Sequence, residues 1–165
     1  PVAGSIVTVA REGSRPLLVE VQALVDEAQG MSPRRVAVGF ESSRLALLLA
    51  VLHRHGGVST SGQDVFVNVV GGVRIGETAA DLPAVLAVLS SLRGRPLVQA
   101  TVCFGEIGLT GEIRPVPFGE ERLREAAKQG FTRALVPAAN VPRKPIEGIA
   151  VEGLASLGQA LSSAF

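Results

Sequence analysis

The chain has 165 residues and is 47% hydrophobic without Trp or Tyr, enough for one domain with an aliphatic core that buries roughly 70% of the unfolded surface. A formal net charge of +1 excludes both an acidic tail and a uniformly basic nucleic-acid binder, so any such role needs local charge. The single Cys103 excludes an internal disulfide and reads as a buried reduced thiol, and the longest apolar run, Leu45–Leu52, falls far below the ~20 residues of a membrane span.

No charged-then-apolar leader pattern opens the chain, and no internal repeat or low-complexity block interrupts it. A globular domain in the cytoplasm, without a membrane partner, is the expectation. Ser5–Ala10 and Pro16–Val25 are β-rich runs split by REGSR, which predicts an N-terminal hairpin. Ala28–Pro33 is a loop. Arg35–Phe40 alternates, with Val36, Val38 and Phe40 on one side, and reads as a strand. Ser42 or Ser43 caps a helix running to about His55, ended by Gly56–Gly57; its LALLLAVL run is apolar nearly all round and predicts burial. Asp64–Val70 is a strand. Thr78–Arg93 is a helix opened by Thr78-x-x-Asp81, a variant of the capping box. Two glycine-punctuated strands within VCFGEIGLTGEIRPV lead through a Pro-rich turn into an amphipathic helix, Glu120–Gln129. A strand at Ala134–Pro137 and a short helix near Leu154–Ser162 close the chain. Strands interleaved with helices make this an α/β fold, and the two hairpins predict a mixed sheet with packed helices.

Three kinds of chemistry can be weighed on residues alone. Gly71-Gly72-Val73-Arg74-Ile75-Gly76-Glu77-Thr78 matches G-x-x-x-x-G-x-T between a strand and a helix, as a phosphate-binding loop would. Glu77 stands where such a loop needs lysine, however, and a carboxylate there repels phosphates, so the glycines read as a tight turn. His53 and His55 lie two apart on a helix with no Cys or carboxylate at ligand spacing, which predicts no metal site and no cofactor. Met31–Gly57 carries Arg34, Arg35, Arg44 and Arg54 against Glu41 alone, a local charge of +3. Arg44 in the first turn of a helix, beside Ser42 and Ser43, is a candidate phosphate seat; Arg35 on the preceding strand and Arg74 on the glycine loop are further candidates for DNA contact.

The segment Phe104–Gly130, FGEIGLTGEIRPVPFGEERLREAAKQG, resembles the proteolytic domain of the Lon family, in which a helix after such a hairpin carries the lysine of a Ser-Lys dyad. A dyad needs a hydroxyl beside an amine whose pKa is low enough to act as base. The nucleophile of the Lon pattern sits in a Pro-Ser-Ala-Gly turn, and the matching residues are Thr78-Ala79-Ala80-Asp81, which put Ala79 at that position. Counting without gaps from Gly111 to Pro137 puts Glu120 at the lysine position. Lys128, eight residues on and roughly 12 Å along the helix, does not replace it. Both dyad positions are vestigial, and the resemblance implies a pseudo-protease with no catalytic residue. A Lon-type peptidase with a displaced dyad is the alternative, and it requires a lysine near the Thr78 turn.

Over nearly the whole chain the sequence is similar to the Lon-like C-terminal domain of the RadA (Sms) family of bacterial DNA-repair ATPases. RPLLVEVQALV, RRVAVGFESSRLALLLAVL, GQDVFVNVVGGVRIGETAADLPAVLAVLSS, FGEIGLTGEIRPVP and ERLREAAKQGFTRALVPAANVP carry the likeness. Thr78 departs from it, standing where the family has Pro. The resemblance implies a single Lon-like domain over 1–165, of the ribosomal protein S5 domain 2-like fold, with 1–5 as a linker remnant. It also implies a hexamer-forming scaffold that helps bind single-stranded or branched DNA during branch migration, with a recombinase as a further partner. ATP, magnesium and zinc are expected only in domains outside this one.

Overall fold

The β-branched and leucine-rich runs of the first half pair into a sheet whose order the connections dictate. The computed structural model describes all residues, 1–165. Strands β1 (Ser5–Glu12) and β2 (Arg15–Glu27) form the predicted antiparallel hairpin, with Val9 opposite Leu18. Then follow β3 (Arg35–Val38), helix α1 (Ser42–Gly56), β4 (Gln63–Val69), a 3-10 turn (Thr78–Ala80) and α2 (Asp81–Arg93). The second half supplies β5 (Thr101–Cys103), the two-residue strands β6 (Glu106–Ile107) and β7 (Ile113–Arg114), α3 (Gly119–Lys128), β8 (Arg133–Pro137), β9 (Ala150–Leu154) and α4 (Leu157–Ser163). Seven strands form one sheet in the order β3-β4-β2-β1-β5-β8-β9, and β6 and β7 pair separately. Antiparallel pairing holds β1 to β2 and β2 to β4, whereas β3–β4, β1–β5, β5–β8 and β8–β9 are parallel. The expected mixed α/β sheet is therefore present.

Alternation along the central strands divides the apolar residues between two faces. Ile6, Val19, Val21, Val65, Val67, Cys103 and Leu135 join the larger core with α1, α2 and α4. Val9, Val102, Phe104, Ala134 and Val136 join a smaller core beneath Leu123 and Ala126 of α3. Helix α3 covers only one end of its face. Toward β3 the outward side chains lack a covering element: Leu24 is 58% exposed and Val38 59%, and Leu24, Phe66 and Val36 lie in register on three adjacent strands.

Five expectations change. Helix α1 is amphipathic, burying Leu45, Leu48, Leu49, Val51 and Leu52 while Leu47 stays open; the all-round buried helix is α2, in which every residue from Asp81 to Ser90 is inside. A helix between two neighbours needs no polar face, and α2 lies between the sheet and α1. Val36 and Val38 point away from the core, and Ala37 packs against it; Phe40 alone of the predicted stripe is buried. Neither Ser42 nor Ser43 caps α1, because Glu41 is its N-cap and Ser43 donates to the Glu41 carboxylate. The Thr78–Asp81 capping box does not form. Helix α2 starts at Asp81, and the Thr78 hydroxyl donates instead to Glu106 Oε2 at 2.8 Å. Strand β9 was not evident in the sequence, and α4 starts at Leu157, capped by the Ser156 hydroxyl.

Candidate functional site

The glycine loop after β4 is the junction on which the candidate residues converge. Gly71 and Gly72 both have positive φ, 91° and 71°, the left-handed conformation that glycine adopts without strain where the chain leaves β4. The Ile75 N–H then donates to the Gly39 carbonyl at 2.8 Å and ties the loop to the end of β3. Gly39 has φ 76°, and a Cβ there would meet the Val73 carbonyl oxygen at 2.6 Å, so this close approach depends on glycine.

Ala79 and Glu120, the two positions that the resemblance aligns with a dyad, have structural surroundings. Ala79 lies in the 3-10 turn with its methyl inside the smaller core, and its carbonyl accepts the Gly105 N–H at 2.9 Å. No hydroxyl is present at that turn except that of Thr78, already bonded to Glu106. Glu120 occupies the exposed first turn of α3 and pairs with Arg124 at 2.7 Å. A carboxylate favours a helix N-terminus through the macrodipole, which is a sufficient structural role for it. Lys128 lies in the last turn of the same helix. Burial pushes the Cys103 thiol well above its usual pKa, which makes it a poor nucleophile.

The three candidate arginines have different surroundings. Arg44 directs its guanidinium inward: Nε and Nη2 hydrogen-bond both carboxylate oxygens of Asp81, and Nη2 also reaches the Ile107 carbonyl at 3.3 Å. Asp81 is completely buried and accepts the Ile107 N–H at 3.0 Å as well. Burial pushes the Asp81 carboxyl up from its ordinary value, against the pull of Arg44 and that N–H, while the bond to Asp81 raises the Arg44 pKa further. Arg35 sits at the other end of β3, its guanidinium donating to the Gln63 and Thr60 carbonyls. Arg74 is exposed and makes no hydrogen bond or ion pair to another side chain. A crevice of about 70 Å³ brings Arg44 and Arg74 together with Glu41, Thr78 and Asp81; Arg35 does not line it.

The strongest electrostatic feature is absent from the sequence reading. Arg122 of α3 is 1% exposed, and its guanidinium bonds Glu77 at 2.6 Å, the Val9 carbonyl at 2.7 Å and the Pro117 carbonyl at 3.0 Å. Its signal was in the chain. Gly119, Arg122, Leu123 and Ala126 follow the i, i+3, i+4, i+7 spacing of the buried stripe, so the helical period places an arginine on the core face. Glu77, dismissed as the wrong residue for a phosphate loop, is the partner of that arginine, and its other oxygen accepts the Arg11 N–H at 2.9 Å. Beside this pair lies a cleft of about 880 Å³, bounded by the β1–β2 turn, the glycine loop and Pro117–Phe118. No group of three or more His, Cys, Asp or Glu side chains comes together anywhere, and no helix is long and apolar enough to cross a membrane.

A family profile described as subunit ChlI of Mg-chelatase matches residues 21–140. The chain is 67% identical over 159 residues to the DNA repair protein RadA of Salmonella typhimurium and 65% identical over 159 residues to that of Escherichia coli. It is 45% identical over 161 residues to the RadA of Bacillus subtilis. Each of these matches takes in 96% of this chain and 35% of the relative, so the chain spans about a third of the length of the curated relatives it matches.

Proposed function

We propose, on the premise that this chain belongs to the family of subunit ChlI of Mg-chelatase, that it serves as the non-proteolytic, Lon-like assembly and DNA-contact module of a RadA-type repair ATPase. The observation that carries this reading is the 67% identity to a DNA repair protein over 96% of the chain. The geometry at the former dyad agrees with it. Ala79 and Glu120 have structural roles, one in a core and one at a helix terminus, and neither nucleophile nor base stands in for them. Catalysis of peptide cleavage by a Ser-Lys pair needs both.

In this reading the module self-associates, as a hexamer in the intact protein, and touches single-stranded or branched DNA through phosphates at Arg35, Arg44 and Arg74 during branch migration. ATP, magnesium and zinc act in other parts of the protein, and a recombinase is a further partner. Arg74 is the free cation of the set, and Arg44 lines the same crevice with its side chain 27% exposed. The uncovered sheet face around Leu24 and Val38 supports an assembly surface.

The test pairs two assays on the chain. Casein should remain intact, and sedimentation with fluorescent single-stranded DNA should show a complex that Arg74→Ala weakens. Inhibitor-sensitive casein cleavage would replace this reading with that of a Lon-type peptidase using a displaced dyad, and absence of any DNA complex would remove its DNA-contact half.

A further inference from the structure

The cleft of about 880 Å³ lies in the size range of small-ligand sites, ~300–1,000 Å³. The sequence argument against a phosphate beside the glycine loop rests entirely on the charge of Glu77. The fold answers that charge: Oε1 accepts from the buried Arg122 guanidinium at 2.6 Å, and Oε2 accepts the Arg11 N–H at 2.9 Å. With Glu77 neutralised by Arg122, the remaining charged groups of the lining are Arg11, Arg74 and Glu12, a balance of one positive charge. The N–H groups of Gly71, Gly72, Val73, Arg74 and Gly76 meet no acceptor of the chain. Unpaired loop N–H groups beside arginines are the chemistry that takes up phosphate oxygens.

Arg11 at the cleft wall has donors that the rest of the fold leaves unpaired. Its Nε and Nη1 are buried without an acceptor, which is costly for charged donors. Its guanidinium lies 3.4 Å from the centroid of the Phe118 ring. Phe118 in turn is held at φ 62°, a conformation that bulky residues seldom adopt, and remains 53% exposed at the cleft wall. Arg11 lines the cleft against an aromatic ring that stays open to it, so the two offer a phosphate seat and a base platform side by side.

We infer that this cleft binds a nucleotide, its phosphate held by Arg11, Arg74 and the glycine-loop N–H groups and its base stacked on Phe118. A free nucleotide and a nucleotide unit of single-stranded DNA share that chemistry. The inference stands apart from DNA contact at Arg35 and Arg44, neither of which lines the cleft.

Fluorescence polarisation of the 165-residue chain with etheno-AMP in one arm, and with a labelled short oligothymidylate in the other, tests it. Inorganic phosphate serves as competitor. Arg11→Ala and Phe118→Gly are each expected to weaken binding by about tenfold. Glycine accepts the positive φ, so Phe118→Gly keeps the backbone, and circular dichroism confirms the fold of both variants. Phosphate should still compete for Phe118→Gly protein, because the ring is not part of the phosphate seat. Sensitivity of etheno-AMP to both substitutions identifies a free nucleotide as ligand; sensitivity of the oligothymidylate alone identifies the strand. Failure of both probes to bind at millimolar concentration, or binding that neither substitution changes, overturns the inference. Branched DNA or a longer single strand bound without either probe would remove this inference and leave the DNA-module reading intact, whereas etheno-AMP bound without any DNA would do the reverse.

Discussion

Arg122 and Glu77, 45 residues apart in the chain, meet at 2.6 Å and bolt helix α3 to the glycine loop. Because Arg122 is 1% exposed, its charge has no access to water and depends on Glu77 and two carbonyls. Arg122→Ala is expected to destabilise the chain by about 3–5 kcal/mol, since it leaves a carboxylate without its charge partner and the Val9 carbonyl without a donor. Replacing both partners, as Glu77→Leu with Arg122→Met, should cost less than the sum of the single changes. Urea unfolding of the three variants measures this, and additive costs would show that the two residues do not act as a pair.

Arg44 and Asp81 make a second buried pair with a different pH signature. The folded-state pKa of Asp81 lies above its ordinary value because burial disfavours the charged carboxylate. A group shifted upward favours the folded state at low pH, and that advantage is lost as pH rises through the folded-state pKa. Arg44 opposes the loss. Arg44→Ala should therefore cost on the order of 3 kcal/mol at neutral pH and distinctly less as the solution is acidified and Asp81 takes up a proton. Thermal unfolding of both proteins across that range reads the difference; an Arg44→Ala deficit that does not shrink on acidification would contradict it.

Gly39→Ala is expected to be costly although it adds one methyl. The positive φ of 76° strains any other residue, and the new Cβ would lie 2.6 Å from the Val73 carbonyl oxygen and 2.8 Å from the Val69 Cβ. The expected loss is about 2 kcal/mol. Amide hydrogen exchange should show the Ile75 N–H, which bonds the Gly39 carbonyl, exchanging faster in the variant.

DNA contact through phosphates has a salt signature. Arg74→Ala should lower the slope of log K against log salt by about 0.7 for single strands and weaken different sequences alike. The same substitution should leave folding stability within about 0.5 kcal/mol, because Arg74 is exposed. An unchanged slope would make Arg74 a solvated rim residue with respect to DNA.

Self-association tests the uncovered sheet face. Val38→Glu and Leu24→Glu place charges on side chains 59% and 58% exposed. The monomer should keep its stability within about 0.5 kcal/mol while the assembled species is lost in sedimentation velocity. Assembly that persists in the double variant would move the interface elsewhere.

Local sequence determined most of the elements, β9 excepted. The period of two in β1 and β2, the apolar stripes of the helices and the glycines that end them depend on neighbours within a few residues, so hairpin, helices and α/β class could be read directly. Which face of β3 is covered was decided by tertiary structure: Val36, Val38 and Phe40 alternate as any strand does, but no element covers the outer side of this sheet edge. Asp81 was read as a cap and became the partner of Arg44 because β6 brings the Ile107 N–H and carbonyl to the same spot. Arg11, Glu77, Phe118 and Arg122 lie on three separate segments and gather only when α3 packs over the β1–β2 hairpin. Their charges and donors interact over a few ångströms, a distance that sequence spacing does not encode and that only chain packing sets.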